Sequence, residues 1–433
     1  MSGRRTVGLA ACAALVVANM VGTGVFTSLG FQVAQIPSPP AILLLWLLGG
    51  LLALCGALCY AELSAALPRS GGEYHFLGRI YHPALGFMAG AVSFVVGFAA
   101  PVALAAMAFG SYLQGVSPSF PPLVSSLAVV AVVSAVHLRN LGVSSVFQVI
   151  FTSLKITLVV TLTASLVATP GTGGFEGSFR PADVLNAPFA VSLMFTLYAY
   201  SGWNAATYIL GEVDNPGRII PRALLGGTLI VILLYVGLNA AMLHAAPASL
   251  LAGQIDVAKV AAESAFGPLG GRFVAGVIAL GLVSTISAMI WAGPRVGMVM
   301  GEDHPHALGW LCRRTRNGIP ANAVLAQSGL TLLLLLSATF EQVLVYAQLA
   351  LLACSFLTVL GLFVLRVRQP DLPRPYRVPL YPLTPLLFLA ISGFALAHTA
   401  VARPVEAALG LLTLATALGV YALVARRENQ SRE

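Results

Sequence analysis

Long apolar runs alternate with short polar loops along the whole chain. A helix that crosses the roughly 30 Å hydrocarbon core of a membrane needs about 20 mostly apolar residues. Twelve runs approach or exceed that length: 7–36, 41–67, 83–114, 122–138, 143–168, 188–211, 221–244, 268–294, 320–338, 341–366, 382–402 and 404–425. The pattern therefore predicts an all-α membrane protein with twelve transmembrane helices.

Two of these runs are interrupted in their middle by small and polar residues. The first run carries Gly22–Gly24, and the run 188–211 carries Ser201–Asn204. Non-helical backbone at membrane depth is tolerated only where it is buried in protein or lines a water-filled cavity. A pair of interrupted hydrophobic segments at corresponding places in two halves of a chain is typical of a transporter's binding site. The two breaks therefore indicate a transporter.

Composition supports the membrane assignment and excludes a soluble domain. The 433 residues are 58% hydrophobic and 9% charged, whereas soluble domains carry about 25% charged residues. The net charge of +8 does not indicate nucleic-acid binding, because the basic residues lie in short loops between apolar runs, as the positive-inside rule produces.

The distribution of basic residues tests the assignment of the loops. With the N-terminus inside, the inside segments hold eighteen of the 23 basic residues, and the outside holds Arg180, Lys259, Arg272 and Arg403. A wrong number of spans would remove this bias. We therefore expect a multi-pass protein of a bacterial inner (plasma) membrane, with both termini in the cytoplasm.

Other classes of protein lack their signatures. The chain has no P-loop, H-E-x-x-H or G-x-S-x-G pattern, so neither an ATP-driven pump nor a membrane enzyme is indicated. We expect no metal at His304 and His306, since no further ligands converge there, and no cofactor. The apolar run continues well past Cys12, so we read it as a transmembrane span and not as a cleaved lipoprotein signal that ends at Cys12. The five cysteines imply no disulfide.

Five stretches resemble the amino acid–polyamine–organocation superfamily, in particular its L-type amino acid transporters and bacterial amino acid permeases. They are NMVGTGVF at 19–26, YAELSAALPRSGGEY at 60–74, AYSGWNAATYILGEVDNPGRIIPRA at 199–223, PRVGMVMGEDHPHA at 294–307 and RPYRVPLYPLTP at 374–385. The resemblance implies a LeuT-like five-plus-five inverted repeat with broken first and sixth helices. Its first repeat would span 7–168 and its second 188–366, with two additional helices at 382–425.

The resemblance also assigns the contacts of an amino acid substrate. A carboxylate suits the free N–H groups at a half-helix N-terminus, and an ammonium suits carbonyls freed where a half-helix ends. The implied substrate-binding residues are Met20, Val21, Gly22, Thr23, Gly24, Tyr198, Ala199, Ser201 and Asn204. Thr23 and Gly24 would hold the carboxylate. The carbonyls of Met20, Val21, Tyr198, Ala199 and Ser201 would face the ammonium, and Tyr198 would gate the site.

Simpler readings of these residues stay open. Gly-Thr-Gly is also a pattern for close helix packing in membranes, and Tyr198 would serve equally as a core aromatic. Asn204 either lines the side-chain pocket or hydrogen-bonds a neighbouring helix.

Lys155 lies in the middle of a run that has no other charge. An ammonium there costs roughly 2.5–3.5 kcal/mol on insertion scales, so it should face the bundle interior. In the family, a lysine at this place reaches the unwound first helix. It would carry a coupling proton or act as a fixed tether. It also argues against sodium coupling through Ser284, Thr285 and Ser287.

The leading hypothesis is a secondary active transporter of neutral L-amino acids that works by alternating access, either as an exchanger or with proton coupling. Neutral substrates are favoured because the two breaks contain no acidic residue. A cationic amino acid or polyamine antiporter and a non-transporting amino acid sensor are the alternatives. Since no cysteine is predicted outside, we expect no obligatory protein partner.

The acidic and basic residues near the cytoplasmic ends are expected to form local caps and salt bridges, or an inner gate. They are Glu62, Arg69, Glu73, Glu212, Asp214 and Arg218.

Overall fold

Helices account for nearly all of the chain that the structure describes. The computed structural model describes residues 7–36, 38–139, 145–174, 184, 186–315 and 319–430. Within these ranges the only β-type pairing is a parallel bridge between Val7 and Val213. The helices are α1 Leu9–Met20, α2 Gly24–Gln35, α3 Pro39–Ala66, α4 Glu73–Ile80, α5 Pro83–Val116, α6 Pro122–Arg139, α7 Ser145–Val167, α8 Ala187–Ala199, a 3₁₀ helix Ala205–Glu212, α9 Pro216–Ala245, α10 Ala248–Leu251, α11 Val257–Asp303, α12 Pro305–Leu308, α13 Ala321–Ser337, α14 Phe340–Arg368, α15 Leu383–Ala402 and α16 Pro404–Gln430.

The predicted all-helical membrane class is confirmed, and each predicted apolar run contains helix. In the described ranges, 9 helices are long and apolar enough to cross a membrane, and α1 with α2 forms a tenth candidate, bent by 40°. Helices α8 and α13 are apolar but shorter. By length and composition the candidate spans therefore number up to ten, against the twelve predicted.

The stretch between 67 and 83 holds a short helix, α4. The predicted span 268–294 starts directly after Gly267, whose non-helical backbone (φ 74°) divides α11, but the helix continues beyond 294 to Asp303. Five basic residues used in the topology argument, Arg4, Arg5, Arg180, Arg316 and Arg432, lie outside the described residues.

Both predicted helix breaks are present. The first break is Val21–Thr23, between α1 and α2. The second follows α8, where residues 200–204 form turns before the 3₁₀ helix. Gly202 has φ +96°, and a Cβ atom there would lie 2.9 Å from the backbone of Asn19. Glycine is therefore required both for the turn and for the close approach to α1.

Helices of the first half of the chain pack against helices of the second half. Helix α2 contacts α8, α3 lies along α9, α5 lies along α11, and α6 contacts α13. The two helix breaks are thus enclosed in the middle of the bundle.

Candidate functional site

The two helix breaks are in direct contact. A Cβ atom built on Gly24 would lie 2.5 Å from the Cα atom of Ala199. By contrast, a Cβ atom on Gly22 would meet its nearest atoms, Met20 O and Thr285 Cγ2, only at 3.9 and 4.0 Å. Glycine at position 24 thus lets the backbones touch, and glycine at position 22 leaves space beside the first break.

Two carbonyl groups at the end of α1 accept hydrogen bonds from other helices. Tyr235 of α9 donates its hydroxyl to Met20 O at 2.5 Å, and Lys155 of α7 donates to Val21 O at 2.9 Å. Each carbonyl oxygen has two lone pairs, so each retains one acceptor position for a further donor. The carbonyls expected to face an ammonium are therefore held in place by fixed donors.

Lys155 joins three elements around the first break. Its side chain is 6% exposed, and besides Val21 O its Nζ donates to Thr285 Oγ1 of α11 at 3.4 Å. In the described part of the chain Lys155 forms no ion pair. The ammonium group is therefore stabilised by neutral oxygen atoms, and it links α7, the break and α11.

The other two hydroxyls considered for sodium have different surroundings. Ser287 Oγ lies 2.9 Å from His137 Nε2, and Ser284 Oγ has no hydrogen-bond partner among the described residues.

Thr23 and Tyr198 meet where the breaks face each other. They are 3% and 6% exposed, and their chain neighbours Gly24 and Ala199 form the close contact between the breaks. The Thr23 side chain does not cap α2, and Gly24 is the first residue of α2. The first N–H groups of a helix have no partner within it. The start of α2 therefore provides backbone donors at the position where the carboxylate is expected.

At the second break three carbonyls accept hydrogen bonds from residues nearby in the sequence. Ser201 N donates to Tyr198 O at 3.0 Å, and Ala205 N donates to Gly202 O at 3.0 Å. Asn204 O accepts from Thr207 N at 2.9 Å and from Thr207 Oγ1 at 2.8 Å. The half-buried side chain of Asn204 does not cap the 3₁₀ helix, so both readings of this residue stay open.

Sequence reasoning missed Tyr235 and Gln32. Tyr235 packs its ring 5.7 Å from Trp46 and 5.1 Å from Tyr200, which fixes the hydroxyl over Met20 O. Gln32 of α2 donates to Ser192 O at 3.2 Å and accepts from Trp46 Nε1 at 2.9 Å. An amide in an apolar run is a signal that points to Gln32, whereas Tyr235 resembles any other core tyrosine.

Glu62 forms a salt bridge, but its partners come from a distant stretch. Its carboxylate is fully buried and accepts from Arg366 at 2.6 and 2.8 Å and from Val378 N at 2.6 Å. Arg374 Nε lies 3.6 Å away. The stretch 374–385 thus joins the C-terminal ends of α3 and α14, where a salt bridge to Arg69 is absent among the described residues.

Glu73 is buried without a basic partner among the described residues. It accepts hydrogen bonds from the Tyr60 hydroxyl and, at 2.8 Å, from Ser355 Oγ. Burial raises the pKa of the Glu73 carboxyl, and the two hydrogen bonds lower it by less. The side chain of Glu212 lies outside the description, and Asp214 N donates to Val7 O at 3.3 Å.

Comparison with known proteins gives matches over almost the whole chain. A family profile described as "Amino acid permease" matches residues 7–422. The serine/threonine exchanger SteT of Bacillus subtilis (strain 168) is 27% identical over 426 residues, which cover 96% of each chain. The mouse Asc-type amino acid transporter 1 is 28% identical, covering 97% of this chain and 81% of its own. The human large neutral amino acids transporter small subunit 2 is 28% identical, covering 97% and 80%.

Proposed function

The chain belongs to the amino acid permease family, and from that membership we propose that it is a secondary active transporter of neutral amino acids. It works by alternating access. The family and the relatives are transporters, not enzymes, which removes the membrane-enzyme alternative.

The contact between the two helix breaks is the observation that carries this proposal. At Gly24 the start of α2, which is the positive end of a helix dipole, lies against the end of α8 at Ala199. An amino acid zwitterion needs N–H donors for its carboxylate and carbonyl acceptors for its ammonium, and the two groups are separated by one carbon. The proposed substrate contacts are Met20, Val21, Gly22, Thr23, Gly24, Tyr198, Ala199, Ser201 and Asn204.

Neutral substrates fit this site best. The residues of the two breaks include no carboxylate that would balance a cationic side chain. The names of two relatives specify serine or threonine and large neutral amino acids. These observations favour a neutral amino acid over a cationic amino acid or a polyamine.

We propose exchange as the coupling mode, with Lys155 as a tether. Its ammonium contacts neutral oxygens on two elements that border the first break. A fixed cation there supports the unwound backbone, as a bound cation would. One relative is named an exchanger. Proton symport through Lys155 is the second candidate.

We also propose an architecture and a membrane location for the chain. Residues 7–168 and 188–366 form two inverted repeats, followed by two helices at 382–425, in a bacterial inner membrane with both termini in the cytoplasm. The packing of equivalent helices supports the repeats.

The proposal also covers a protein partner. One relative is named a small subunit. We propose that this chain needs no such partner, because none of its cysteines is in a predicted outside segment.

The test is uptake of labelled serine, leucine and lysine into proteoliposomes that contain the purified chain alone. Each substrate is measured with and without unlabelled amino acid inside, and with and without an inward proton gradient. We expect uptake of the neutral substrates that requires internal substrate. Saturable binding without flux under every condition would identify a sensor and contradict the proposal.

The coupling mode is tested with two lysine variants in the same assay. Lys155→Met should lower exchange at least tenfold without making it depend on the gradient. Lys259→Met, which removes a lysine near the start of α11 that is paired with Glu263, is the control and should exchange normally. Uptake by the wild type that is driven by the gradient alone, and lost in Lys155→Met, would show proton symport.

A further inference from the structure

A cavity of about 130 Å³ lies away from the helix breaks, where the ends of α6 and α11 meet the start of α13. Its volume leaves room for several non-hydrogen atoms, since a single water needs only about 10–15 Å³. The wall combines three basic side chains with apolar ones, among them His137, Arg295, Arg314, Ile290, Ile319 and Val324.

The guanidinium of Arg295 lies at this cavity and contacts uncharged groups of Trp291. Its guanidinium carbon lies 3.3 Å from the centroid of the Trp291 ring, and its Nη1 donates to Trp291 O at 2.6 Å. In the part of the chain that the structure describes, no carboxylate forms an ion pair with Arg295. The cavity therefore has a cationic group whose charge is not balanced by the protein.

Arg314 adds a second cation that remains available. It pairs with Glu302 at 3.5 Å, and the two side chains are 53% and 52% exposed. Such an exposed pair contributes at most about 1 kcal/mol. An anion that contacts Arg295 and Arg314 together can therefore displace Glu302 at little cost.

The surroundings of the cavity favour a lipid over a soluble anion. It lies at the arginine-rich end of the bundle, and the neighbouring helix surfaces expose Val136, Trp291 and Leu325 to 49%, 42% and 56%. Tryptophan is enriched at membrane–water interfaces, and basic pockets between helices at the cytoplasmic side bind anionic headgroups. A free phosphate would contact the two arginines, but it would not contact the exposed apolar surface beside them.

We propose that the cavity binds the phosphodiester group of an anionic phospholipid. Arg295 and Arg314 contact the phosphate oxygens, because a guanidinium matches the geometry of a phosphate. The acyl chains lie on the apolar surface beside α6 and α13. The lipid thereby connects α11, which contributes to the Lys155 site, with two neighbouring helices.

Native mass spectrometry of the full-length protein in detergent tests this proposal. The protein is titrated with phosphatidylglycerol, and separately with phosphatidylcholine of the same acyl chains. We expect the wild type to bind phosphatidylglycerol at least tenfold more tightly than Arg295→Gln does, and more tightly than it binds phosphatidylcholine. The matched control is Arg313→Gln, which removes the adjacent exposed arginine and should bind like the wild type.

Equal binding of phosphatidylglycerol by the wild type and Arg295→Gln would overturn the proposal. Inorganic phosphate that binds on its own as tightly as the lipid and displaces it would identify a free-anion site and overturn the lipid assignment. If Arg295→Gln does not stay monodisperse, Arg314→Gln decides, since its side chain is half exposed and not part of the core. A loss of binding in that variant supports the proposal, and unchanged binding contradicts it.

Discussion

Gly24 leaves no room for a side chain. A Cβ atom there would lie 2.5 Å from the Cα atom and 2.7 Å from the Cβ atom of Ala199, closer than non-bonded carbon atoms approach. The atoms of Ala199 that a side chain would meet are its Cα and Cβ, so no change of side-chain rotamer can relieve the clash. The distance between the start of α2 and the end of α8 therefore depends on this glycine.

Gly24→Ala should consequently impair transport. Overpacking costs about 1–3 kcal/mol, and each 1.4 kcal/mol is a factor of ten in an equilibrium constant, so we expect a loss of amino acid exchange in proteoliposomes of roughly 5- to 100-fold. Gly329→Ala on α13 is the matched control, because a Cβ atom there meets nothing within 4 Å. Wild-type exchange by Gly24→Ala would contradict the close contact.

Glu73 gives stability a pH dependence whose sign follows from its raised pKa. The folded protein binds this proton more tightly than the unfolded chain does. The contribution of Glu73 is therefore fully present below the unfolded pKa and is lost as the pH rises through the folded pKa. Tyr60 and Ser355 both donate to one carboxylate oxygen, Oε1, which the amide oxygen of glutamine can replace.

Glu73→Gln should melt at a higher temperature than the wild type at pH 8 and at nearly the same temperature at pH 4. The measurement is thermal unfolding of the detergent-purified protein across this pH range. Glu302→Gln, which removes a half-exposed carboxylate, controls for the change in net charge and should show no such divergence. A lower melting temperature for Glu73→Gln at pH 8 would mean that the carboxylate is stabilised in its charged form.

At the scale of elements, the two breaks could be predicted from the sequence, because glycine and polar residues inside an apolar run are visible without knowledge of the fold. The end of α11 could not be predicted in this way. The predicted span ends just before Arg295, whereas the helix continues to Asp303, since a helix does not need to end where the membrane does. The bond from Tyr235 to Met20 O joins residues 215 positions apart, and no local pattern encodes such a contact.

The partners of Glu62 illustrate the same limit. The acidic residue and the stretch 374–385 were both singled out by the resemblance, but only the fold brings them together. Glu62 has no exposed surface, and the side chain of Arg366 is 21% exposed. Removing one partner of a buried pair costs about 3–5 kcal/mol; here Arg374, 3.6 Å from Glu62, would remain beside the carboxylate and keep the cost toward the lower end.

Arg366→Gln should therefore lower the melting temperature of the purified protein strongly. The double variant Glu62→Gln with Arg366→Gln should recover part of the loss, because it buries no unpaired carboxylate. Arg368→Gln provides the comparison, since among the described residues Arg368 donates to a backbone carbonyl, Ile80 O at 3.2 Å, and not to a carboxylate. The two charges would not act as a pair if the double variant were less stable than Arg366→Gln by as much as Glu62→Gln alone is less stable than the wild type.

At the scale of the whole molecule, helices of the first half pack against helices of the second: α2 with α8, α3 with α9, α5 with α11 and α6 with α13. That the two halves are inverted repeats stays a prediction. The hydropathy pattern predicted where the apolar runs lie. It could not pair them, because helices in a membrane are all apolar and differ little in which neighbour they prefer.

The orientation in the membrane is predicted from the basic loops and is accessible to labelling. A membrane-impermeant maleimide applied to intact cells should label Arg272→Cys, near the start of α11, and should not label Arg427→Cys, near the end of α16. Both positions are exposed, so permeabilised cells should allow both to react. Labelling of Arg427→Cys in intact cells would contradict the cytoplasmic location of the C-terminal end.

The most direct test of the central claim is protection of the second break by substrate. Ser201→Cys introduces a thiol at a half-buried position between α8 and the 3₁₀ helix, while four of the five native cysteines are buried. The account predicts that a transported amino acid slows alkylation of this thiol at least tenfold, with a half-maximal concentration that matches the KM of exchange. An alkylation rate that saturating substrate leaves unchanged would contradict a substrate site at the two breaks.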